Sequence, residues 1–298
     1  MSLDFMKDDG VFMPMLNDTS RNIFYETAIK LAAPGKVVCD IGTGTGFLSI
    51  IAAQAGAKHV IAVEQNAERY QYAKSIFEKL GLNDRIELIL GDFLDLDIKA
   101  DVYVSETINT QIFGEDIIKL SNHAQKYGGK FIPGQFKIHA KVFKDHPIFV
   151  IDQSWAEINE YNPGIDVNPD FTNIVNNDFI EQYGLGKTRH AANQLNRLFT
   201  MLPRFSDLKL TKLYETDPIT VDLNQLNNES DISIVVPYQE IKRFRDMCVV
   251  LFWQAEYNTV TMNSNDVWFG NVNKQIAQAN QDIVFRYDPQ IHNWRLTY

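Results

Sequence analysis

The sequence predicts an α/β protein in which a doubly wound parallel sheet precedes a mainly antiparallel, β-barrel-like domain. Three observations support this prediction. Helix-like and strand-like patterns alternate along the first 134 residues, a glycine-rich loop follows the first strand-like run, and a strict two-residue period begins after residue 134. We therefore expect a Rossmann-like domain over residues 1–134 and a β-rich domain over residues 135–298, with a helical insertion near residues 163–205.

The elements of the first domain are predicted from apolar spacing and from helix-ending signals. A helix over residues 19–31 has apolar residues near one face, Asp18 or Thr19 as its N-cap, and a Pro-Gly pair after it. The other predicted helices are Phe47–Gln54, Ala67–Leu80 and 116–124, and the predicted strands are 36–41, 59–63, Ile86–Leu90 and 101–105. Strands that alternate with helices predict a parallel sheet that binds ligands at its carboxyl ends.

The second domain begins with a clear alternation of apolar and polar residues. The apolar members are Phe136, Ile138, Ala140 and Val142, and the polar members are Lys137, His139 and Lys141. This alternation predicts a half-buried strand. Residues 207–213, 231–236, 248–257 and 282–287 are also strand-like and no crossover helix separates them, which predicts antiparallel pairing. Residues 176–199 have a partly helical pattern.

Composition limits the possible classes of function. The formal net charge of −10 opposes a phosphate-binding surface, so we expect no nucleic-acid partner. Hydrophobic residues make up 45% and charged residues 22%, which is typical of a folded chain without a membrane span. Cys39 and Cys248 are the only cysteines and no histidine pair has metal-ligand spacing, so we expect a reducing, cytoplasmic location and no metal site.

A glycine-rich loop lies between the first predicted strand and the next helix. Gly42, Gly44 and Gly46 let the backbone approach a ligand closely, although ordinary tight turns also use such a loop. Glu64 ends the following strand, 22 residues after Gly42, and a carboxylate at that place can reach ribose hydroxyls. An isolated Glu64 would be a solvated strand end, but its neighbours favour a cofactor that carries a ribose.

The neighbouring residues favour S-adenosylmethionine over a dinucleotide. A dinucleotide site has the pattern G-x-G-x-x-G, and Phe47 stands where that pattern requires its third glycine. Asp40, just before the loop, suits the amino group of a cofactor derived from methionine. Asp92, which follows Gly91 after the third strand, can accept a hydrogen bond from an adenine amine.

With these motifs the sequence resembles the class I methyltransferases, and specifically the protein arginine methyltransferases. The resemblance is carried by DIGTGTG, by GFLSIIAAQAGAKHVIAVE and by M-L-N-D-T-S-R, which ends at Arg21. The segment GGKFIPGQFKIHAKV is similar to the family's junction between its Rossmann-like and β-barrel domains. The match is good over residues 11–143 and looser elsewhere. It implies that Arg21 contacts the cofactor carboxylate and that two chains form a homodimer through an arm near residues 163–205.

The predicted cofactor site gathers residues from five segments of the chain. Its members are Arg21, Asp40, Gly42, Thr43, Gly44, Gly46, Glu64, Gln65, Asp92, Phe93 and Glu106. Together they predict a site for S-adenosylmethionine, whose methyl group would pass to a nitrogen nucleophile such as a protein arginine. The acceptor partner is then a protein, a peptide or a small molecule.

Two acids are the predicted catalytic residues. Glu106 follows the strand 101–105, and Glu115 lies nine residues later on the same loop. Two carboxylates can bind the N–H groups of a planar guanidinium and hold its nitrogen in line with a methyl donor. The resemblance implies that these acids match the two-glutamate loop of the arginine methyltransferases. A structural alternative is that Glu106 caps the strand and Glu115 stabilises the next helix through its dipole.

Two departures from the family pattern leave other functions open. Thr107, Ile108, Asn109 and Thr110 replace the Trp, Met, Gly and Tyr of the two-glutamate loop. The family's Thr-His-Trp loop is missing, since residues 265–268 lack the histidine and His292 comes late in the chain. The alternatives are a methyltransferase of the same scaffold that acts on another acceptor, and a non-catalytic relative that binds the cofactor.

Overall fold

The structure is a computed structural model that describes residues 18–108, 112–144, 210–225, 231–264, 272–291 and 293–298. Several predictions from the sequence concern residues outside these ranges. They are the helical insertion near residues 163–205, the partly helical pattern over 176–199, the segment 265–268, Asn109, Thr110 and His292.

The first domain contains a five-stranded parallel sheet. Its strands are β1 (Val37–Ile41), β2 (His59–Glu64), β3 (Ile86–Leu90), β4 (Val102–Ser105) and β5 (Lys130–Ile132). Their order is β3-β2-β1-β4-β5, and every pair is parallel. The chain reverses its direction of travel across the sheet beside β1, which creates the crevice where doubly wound folds bind ligands. The predicted fold class is therefore confirmed for this domain.

Helices surround this sheet at the places that the sequence predicts. They are α1 (Thr19–Ala32), α2 (Phe47–Gln54), α3 (Ala67–Leu80) and α4 (Ile117–Gln125), with a short 3-10 helix at Phe93–Asp95. Of the two N-cap candidates for α1, the structure selects Asp18, whose carboxylate accepts a hydrogen bond from the Arg21 backbone N–H at 3.2 Å. Helix α4 begins one residue later than predicted, because Asp116 has a left-handed φ of 65°.

The second domain is built from antiparallel strands, as predicted. A six-stranded sheet contains β6 (Gln135–Phe143), β7 (Lys212–Glu215), β8 (Ile219–Asp222), β10 (Met247–Tyr257), β11 (Val260–Asn263) and β12 (Val272–Ile276). A second sheet contains β9 (Ser233–Val236), β13 (Ile283–Asp288) and β14 (Asn293–Thr297), and α5 (Tyr238–Ile241) follows β9. The strand expected at residues 207–213 overlaps β7, which begins at Lys212, and residues 207–209 lie outside the described ranges.

One hydrophobic core crosses the boundary between the two domains. It includes Phe131 and Ile132 of β5 together with Phe136, Ile138 and Trp253 of the antiparallel sheet. Polar contacts also cross this boundary, for example at α4. The Ser121 hydroxyl and the Gln125 amide, both on α4, donate to the Leu223 carbonyl oxygen at 2.7 and 2.6 Å. The parallel and antiparallel sheets therefore pack as one body.

A polar cleft of about 570 Å³ also lies at this boundary. Lys130, Gln135, Asp222 and Glu256 are among the residues that line it. Since Lys130 is the first residue of β5, the cleft is at the amino end of the parallel sheet, away from the carboxyl ends where the glycine loop lies. Among the residues that the structure describes, no helix combines the length and apolar character that crossing a membrane requires.

Candidate active site

Three neighbouring strands end at the same edge of the parallel sheet and bring the predicted site residues together. In the strand register, Ile41 of β1 pairs with Val63 of β2 on one side and with Ser105 of β4 on the other. The glycine loop, Glu64 and Glu106 each follow directly after one of these positions. Residues that are far apart in sequence therefore meet because parallel strands place their carboxyl ends side by side.

The glycine loop folds back over the end of β2. The backbone N–H groups of Gly42 and Thr43 both donate to the Val63 carbonyl oxygen at 2.9 Å. Gly46 has a φ of 84°, and a Cβ atom at this position would lie 2.5 Å from Cε1 of Phe77 on α3. Only glycine therefore fits at Gly46, where the loop ends and α2 begins.

Asp40 is buried beneath the loop and is held by two hydroxyl groups. The hydroxyls of Thr43 and Ser49 donate to Asp40 Oδ2 at 2.6 and 2.7 Å. Oδ1 of the same carboxyl is buried and has no hydrogen-bond partner among the described residues. Burial raises the pKa of Asp40 to about 6, and the hydrogen bonds from Thr43 and Ser49 oppose this rise. One oxygen of Asp40 is thus fixed and the other remains available to a donor.

Glu64 is also buried at the edge of the sheet, and it holds the loop through backbone contacts. Its Oε2 accepts a hydrogen bond from the Gly44 N–H at 2.9 Å, and its Oε1 accepts one from the Asn66 N–H at 2.9 Å. A carboxylate has about four lone-pair positions, so two of them remain for other donors. The geometry is compatible with the predicted contact to ribose hydroxyls.

Arg21 and Glu106 form a buried ion pair beside the loop. Arg21 Nη2 lies 3.0 Å from Glu106 Oε2, and each side chain is only 6% exposed. The other oxygen, Oε1 of Glu106, is buried and accepts no hydrogen bond from the described residues. Burial raises the pKa of Glu106 to about 8 although Arg21 lowers it, and Glu115 and Asp18 raise it further. Arg21 thus lies next to the predicted catalytic acid.

Glu115 lies in the turn that precedes α4 and completes the acidic pair. Its side chain is partly exposed to solvent. Partial burial raises the pKa of Glu115, and the charge of Arg69 on α3 opposes this rise. Its own charge raises the pKa of Glu106, so the two carboxyl groups are close enough to interact. The structural alternative for Glu115 is wrong in one respect, since the residue precedes Asp116 and lies outside the first turn of α4.

The remaining predicted residues lie around the end of β3 and the end of β2. Asp92 is exposed, and its Oδ1 accepts a hydrogen bond from the Leu94 N–H at 2.9 Å, which caps the 3-10 helix. The Phe93 ring is buried against Tyr103 and His123, so a contact from Phe93 to a cofactor would use its backbone. Gln65 is exposed directly after Glu64.

Two residues that support the site were missed in the sequence analysis. Ser49, which fixes Asp40, is the only hydroxyl residue of the apolar helix α2. A single hydroxyl in an apolar helix is the feature of the sequence that could have indicated its role. Tyr25 is buried, and its hydroxyl donates to the Ser105 carbonyl oxygen at 3.0 Å, immediately before Glu106. It lies four residues after Arg21 on α1, so both side chains face the same side of that helix.

The fold and the site together define a Rossmann-like protein with an acidic, partly buried site at the carboxyl ends of its strands. A family model described as a methyltransferase domain matches residues 32–182, which is about half of the chain. The chain belongs to this methyltransferase domain family. The resemblance to class I methyltransferases found in the sequence is therefore confirmed.

Two curated relatives are named arginine methyltransferases. The arginine N(omega)-methyltransferase of Streptomyces achromogenes subsp. streptozoticus is 31% identical over 150 residues, which cover 47% of this chain and 42% of the relative. The protein arginine N-methyltransferase 1 of Saccharomyces cerevisiae is 34% identical over 146 residues, which cover 46% of this chain and 42% of the relative. The matched region thus spans less than half the length of either relative.

A solved structure resembles almost the whole chain. The crystal structure described as PRMT6-SAH has a TM-score of 0.60 and 17% sequence identity, and the alignment covers 97% of this chain and 99% of that chain. At this level of identity the likeness concerns the fold alone. It confirms the two-domain architecture in which a Rossmann-like sheet is followed by an antiparallel, barrel-like domain.

Proposed function

We propose that this protein transfers the methyl group of S-adenosylmethionine to a side-chain nitrogen of arginine in a protein or peptide. The observation that carries the proposal is the buried carboxyl of Glu106, which Arg21 binds at one oxygen while the other oxygen accepts no hydrogen bond from the described residues. This carboxyl lies beside the glycine loop and interacts with Glu115. A guanidinium would satisfy that oxygen and both acids.

The residues at the glycine loop fit S-adenosylmethionine. Asp40 Oδ1 is a buried acceptor that lacks a partner among the described residues, and it suits the ammonium group of the cofactor. Glu64 has lone pairs left for two ribose hydroxyls, and Arg21 supplies a cation for the carboxylate. The PRMT6 structure with the same fold is described as containing SAH, which supports this choice of cofactor.

The two acids suit a cationic and planar acceptor. A bound guanidinium would bring positive charge next to Glu106, which would lower the pKa of this carboxyl from about 8 and favour its ionised form. Glu106 and Glu115 can then bind different N–H groups and hold one nitrogen towards the methyl group. When bound, the cofactor supplies an electrophilic methyl on its sulfonium. The attacking nitrogen loses a proton, and Glu106 Oε1, which would accept a hydrogen bond from that nitrogen, would also take this proton.

Separate substitutions of the two acids test this proposal. Glu106→Gln and Glu115→Gln keep the side-chain shape and remove the charge, so we expect turnover on an arginine-rich peptide to fall by about 100-fold or more, since each carboxylate orients the acceptor. Binding of S-adenosylhomocysteine to Glu115→Gln, measured by calorimetry, is expected to stay within a few-fold of the parent protein.

Glu78→Gln is the matched control, because Glu78 is an exposed acid in the last turn of α3. It is expected to behave like the parent protein in both assays. Full turnover by both Glu106→Gln and Glu115→Gln would contradict a role for the acids in holding a guanidinium.

Free arginine is a second candidate acceptor. One relative is named simply an arginine N(omega)-methyltransferase. In addition, the wall of the acceptor site differs from the family pattern. The Thr107 hydroxyl lies 3.0 Å from the Ser105 hydroxyl, and Ile108 is buried. The values of kcat/KM for free arginine and for a peptide that contains arginine decide between the two acceptors. The substrate with the higher value is the preferred acceptor.

We also propose a cytoplasmic location and pairing into a homodimer, following the resemblance to the arginine methyltransferases. The two cysteines are both buried and free, which fits a reducing compartment. Light scattering at micromolar concentration tests the pairing, and a mass of about 34 kDa would contradict it.

A further inference from the structure

An aromatic cluster from the second domain encloses one residue of the two-glutamate loop. Phe113 lies two residues before Glu115, and its ring is fully buried. Its centroid is 5.4 Å from that of Phe136 and 5.3 Å from that of Tyr287, both in edge-to-face geometry, and 6.3 Å from that of Trp294. Such pairs are more specific in geometry than aliphatic contacts. The loop of the first domain is thus anchored in the core of the second.

The backbone of this residue is held as well as its ring. The Tyr287 hydroxyl donates to the Phe113 carbonyl oxygen at 3.1 Å, and this bond joins residues 174 positions apart in the chain. Burial raises the pKa of Tyr287 to about 12, so the hydroxyl keeps its proton throughout the neutral range. Tyr287 therefore fixes both the side chain and the main chain of Phe113.

The residues on either side have unusual backbone conformations. Ile112 has a φ of 66° and is fully buried, and Asp116 has a φ of 65°. A β-branched residue in the left-handed region is rare, because its side chain collides with the backbone. Such strained conformations persist where surrounding contacts determine them and often occur at functional sites. The aromatic cluster supplies such contacts between these two positions, directly beside Glu115.

We propose that Tyr287 is a positioning residue that holds Phe113, and through it Glu115, opposite Glu106. Its hydroxyl and ring fix the end of the loop that carries both acids, although they lie outside the cofactor site. The second domain would thereby contribute to catalysis without touching the reacting atoms. The effect on turnover rests on the proposed function, whereas the effect on the loop does not.

Tyr287→Phe tests the proposal because it removes one hydrogen bond and leaves the ring. Hydrogen exchange of the segment 105–116 should become faster, and kcat on an arginine-rich peptide should fall about 5- to 10-fold, which corresponds to one hydrogen bond. The affinity for S-adenosylhomocysteine and the KM for the methyl donor should stay within twofold. Phe113→Leu, which removes the aromatic contacts, should produce the same pattern more strongly.

Tyr257→Phe is the matched control. Tyr257 is also a buried tyrosine of the second domain, at 9% exposure against 6% for Tyr287, and it lies on β10 at the polar cleft. The proposal is overturned if Tyr287→Phe matches Tyr257→Phe in both loop exchange and kcat. It is also overturned if exchange increases throughout the chain and cofactor affinity falls in parallel, since the residue would then only stabilise the fold. A third outcome is that Tyr287→Phe speeds hydrogen exchange in the loop but the parent protein methylates no arginine peptide. This outcome would support the role of Tyr287 in holding the loop and would contradict the proposed acceptor.

Discussion

At the scale of single residues, Asp40 and Glu106, two of the buried acids of the site, share one arrangement. Ser49 and Thr43 hold Asp40 at Oδ2, and Arg21 holds Glu106 at Oε2. In each case the second oxygen is buried without a hydrogen-bond partner among the described residues. A buried acceptor of this kind is costly unless a ligand satisfies it, so both oxygens mark positions where donors bind.

Ser49→Ala is expected to weaken cofactor binding and to change its dependence on pH. Asp40 has a pKa of about 6 that the Ser49 hydroxyl lowers, and the ionised form binds an ammonium group. Loss of this hydrogen bond raises the pKa of Asp40, so the pH below which affinity falls should move upward. The affinity for S-adenosylhomocysteine at pH 7 should fall about 10-fold, as for the loss of a hydrogen bond to a charged group. Calorimetric titration between pH 5 and 8 measures both effects.

A ligand without the ammonium group shows whether Ser49 acts by holding Asp40 or by stabilising the loop as a whole. Ser49→Ala should bind 5′-methylthioadenosine as the parent protein does, because this compound lacks the amino-acid part. Ser75→Ala is the control, since the Ser75 hydroxyl bonds only within its own helix, to the Tyr72 carbonyl oxygen. Equal losses for both ligands would show that Ser49 merely stabilises the loop.

Sequence reasoning predicted the acids of the candidate site but missed the residues that support them. Asp40, Glu64 and Glu106 stand at the ends of three strands, and an acid at a strand end next to a glycine loop is visible in the sequence. Ser49 and Tyr25 each reach from a helix to a strand, at separations of 9 and 80 residues from their partners. Such contacts depend on how helices pack on the sheet, which a one-dimensional pattern does not specify.

At the scale of elements, the junction between the glycine loop and α2 depends on contact with α3. Gly46→Ala combines a left-handed φ of 84° with a Cβ atom 2.5 Å from Phe77 Cε1. We expect it to lower the free energy of unfolding by about 3 kcal/mol, from backbone strain and overpacking together. Binding of S-adenosylhomocysteine should weaken at least 10-fold, because the glycine loop that is proposed to contact the cofactor must move. Urea unfolding and calorimetric titration measure the two effects.

Gly56→Ala controls for the backbone part of this effect. Gly56 has a φ of 89°, and a Cβ atom there would meet no atom within 4 Å. It should cost about 1–2 kcal/mol and leave cofactor affinity unchanged. Phe77→Leu in the Gly46→Ala background should recover part of the lost affinity. Equal behaviour of the two glycine variants would show that contact with Phe77 is unimportant.

The long elements followed from the sequence, whereas several of the short strands did not. Helix α3 has an N-cap at Asn66 and ends before Gly81, and β6 alternates strictly between polar and apolar residues from Gln135 to Val142. Strands β8 and β11 have only four residues each, which is too short for a two-residue period to stand out. Their pairing with long central strands determines them, and that pairing is a property of the folded chain.

At the scale of the whole molecule, the boundary between the two domains is buried in a hydrophobic core that both domains share. The sequence predicts a boundary at residue 134, and the change from parallel to antiparallel pairing between β5 and β6 lies there. Nevertheless Phe131 and Phe136 belong to the same core cluster. Periodicity reveals where the type of sheet changes, but it does not reveal whether the two sheets share their buried side chains. The domain division therefore remains a prediction.

The shared core predicts that the full chain unfolds in one cooperative transition. Scanning calorimetry should give a calorimetric enthalpy equal to the van't Hoff enthalpy, because neither sheet can expose its face without exposing the other. A fragment of residues 1–134 should be markedly less stable than the same region in the full chain, since it loses the partners of Phe131 and Phe113. Two resolved transitions, or a fragment as stable as the whole, would show that the domains fold independently.

The register between β1 and β4 has a consequence for the evolution of such proteins. Because Ile41 pairs with Ser105, the glycine loop and the loop that carries Glu106 and Glu115 begin at neighbouring points that the backbone of the sheet determines. Substitutions after Glu106, such as those at Thr107 and Ile108, can reshape the acceptor wall without displacing the methyl donor. Selection can therefore change the acceptor while the cofactor chemistry is inherited intact, so one ancestral scaffold can give rise to enzymes with different substrates.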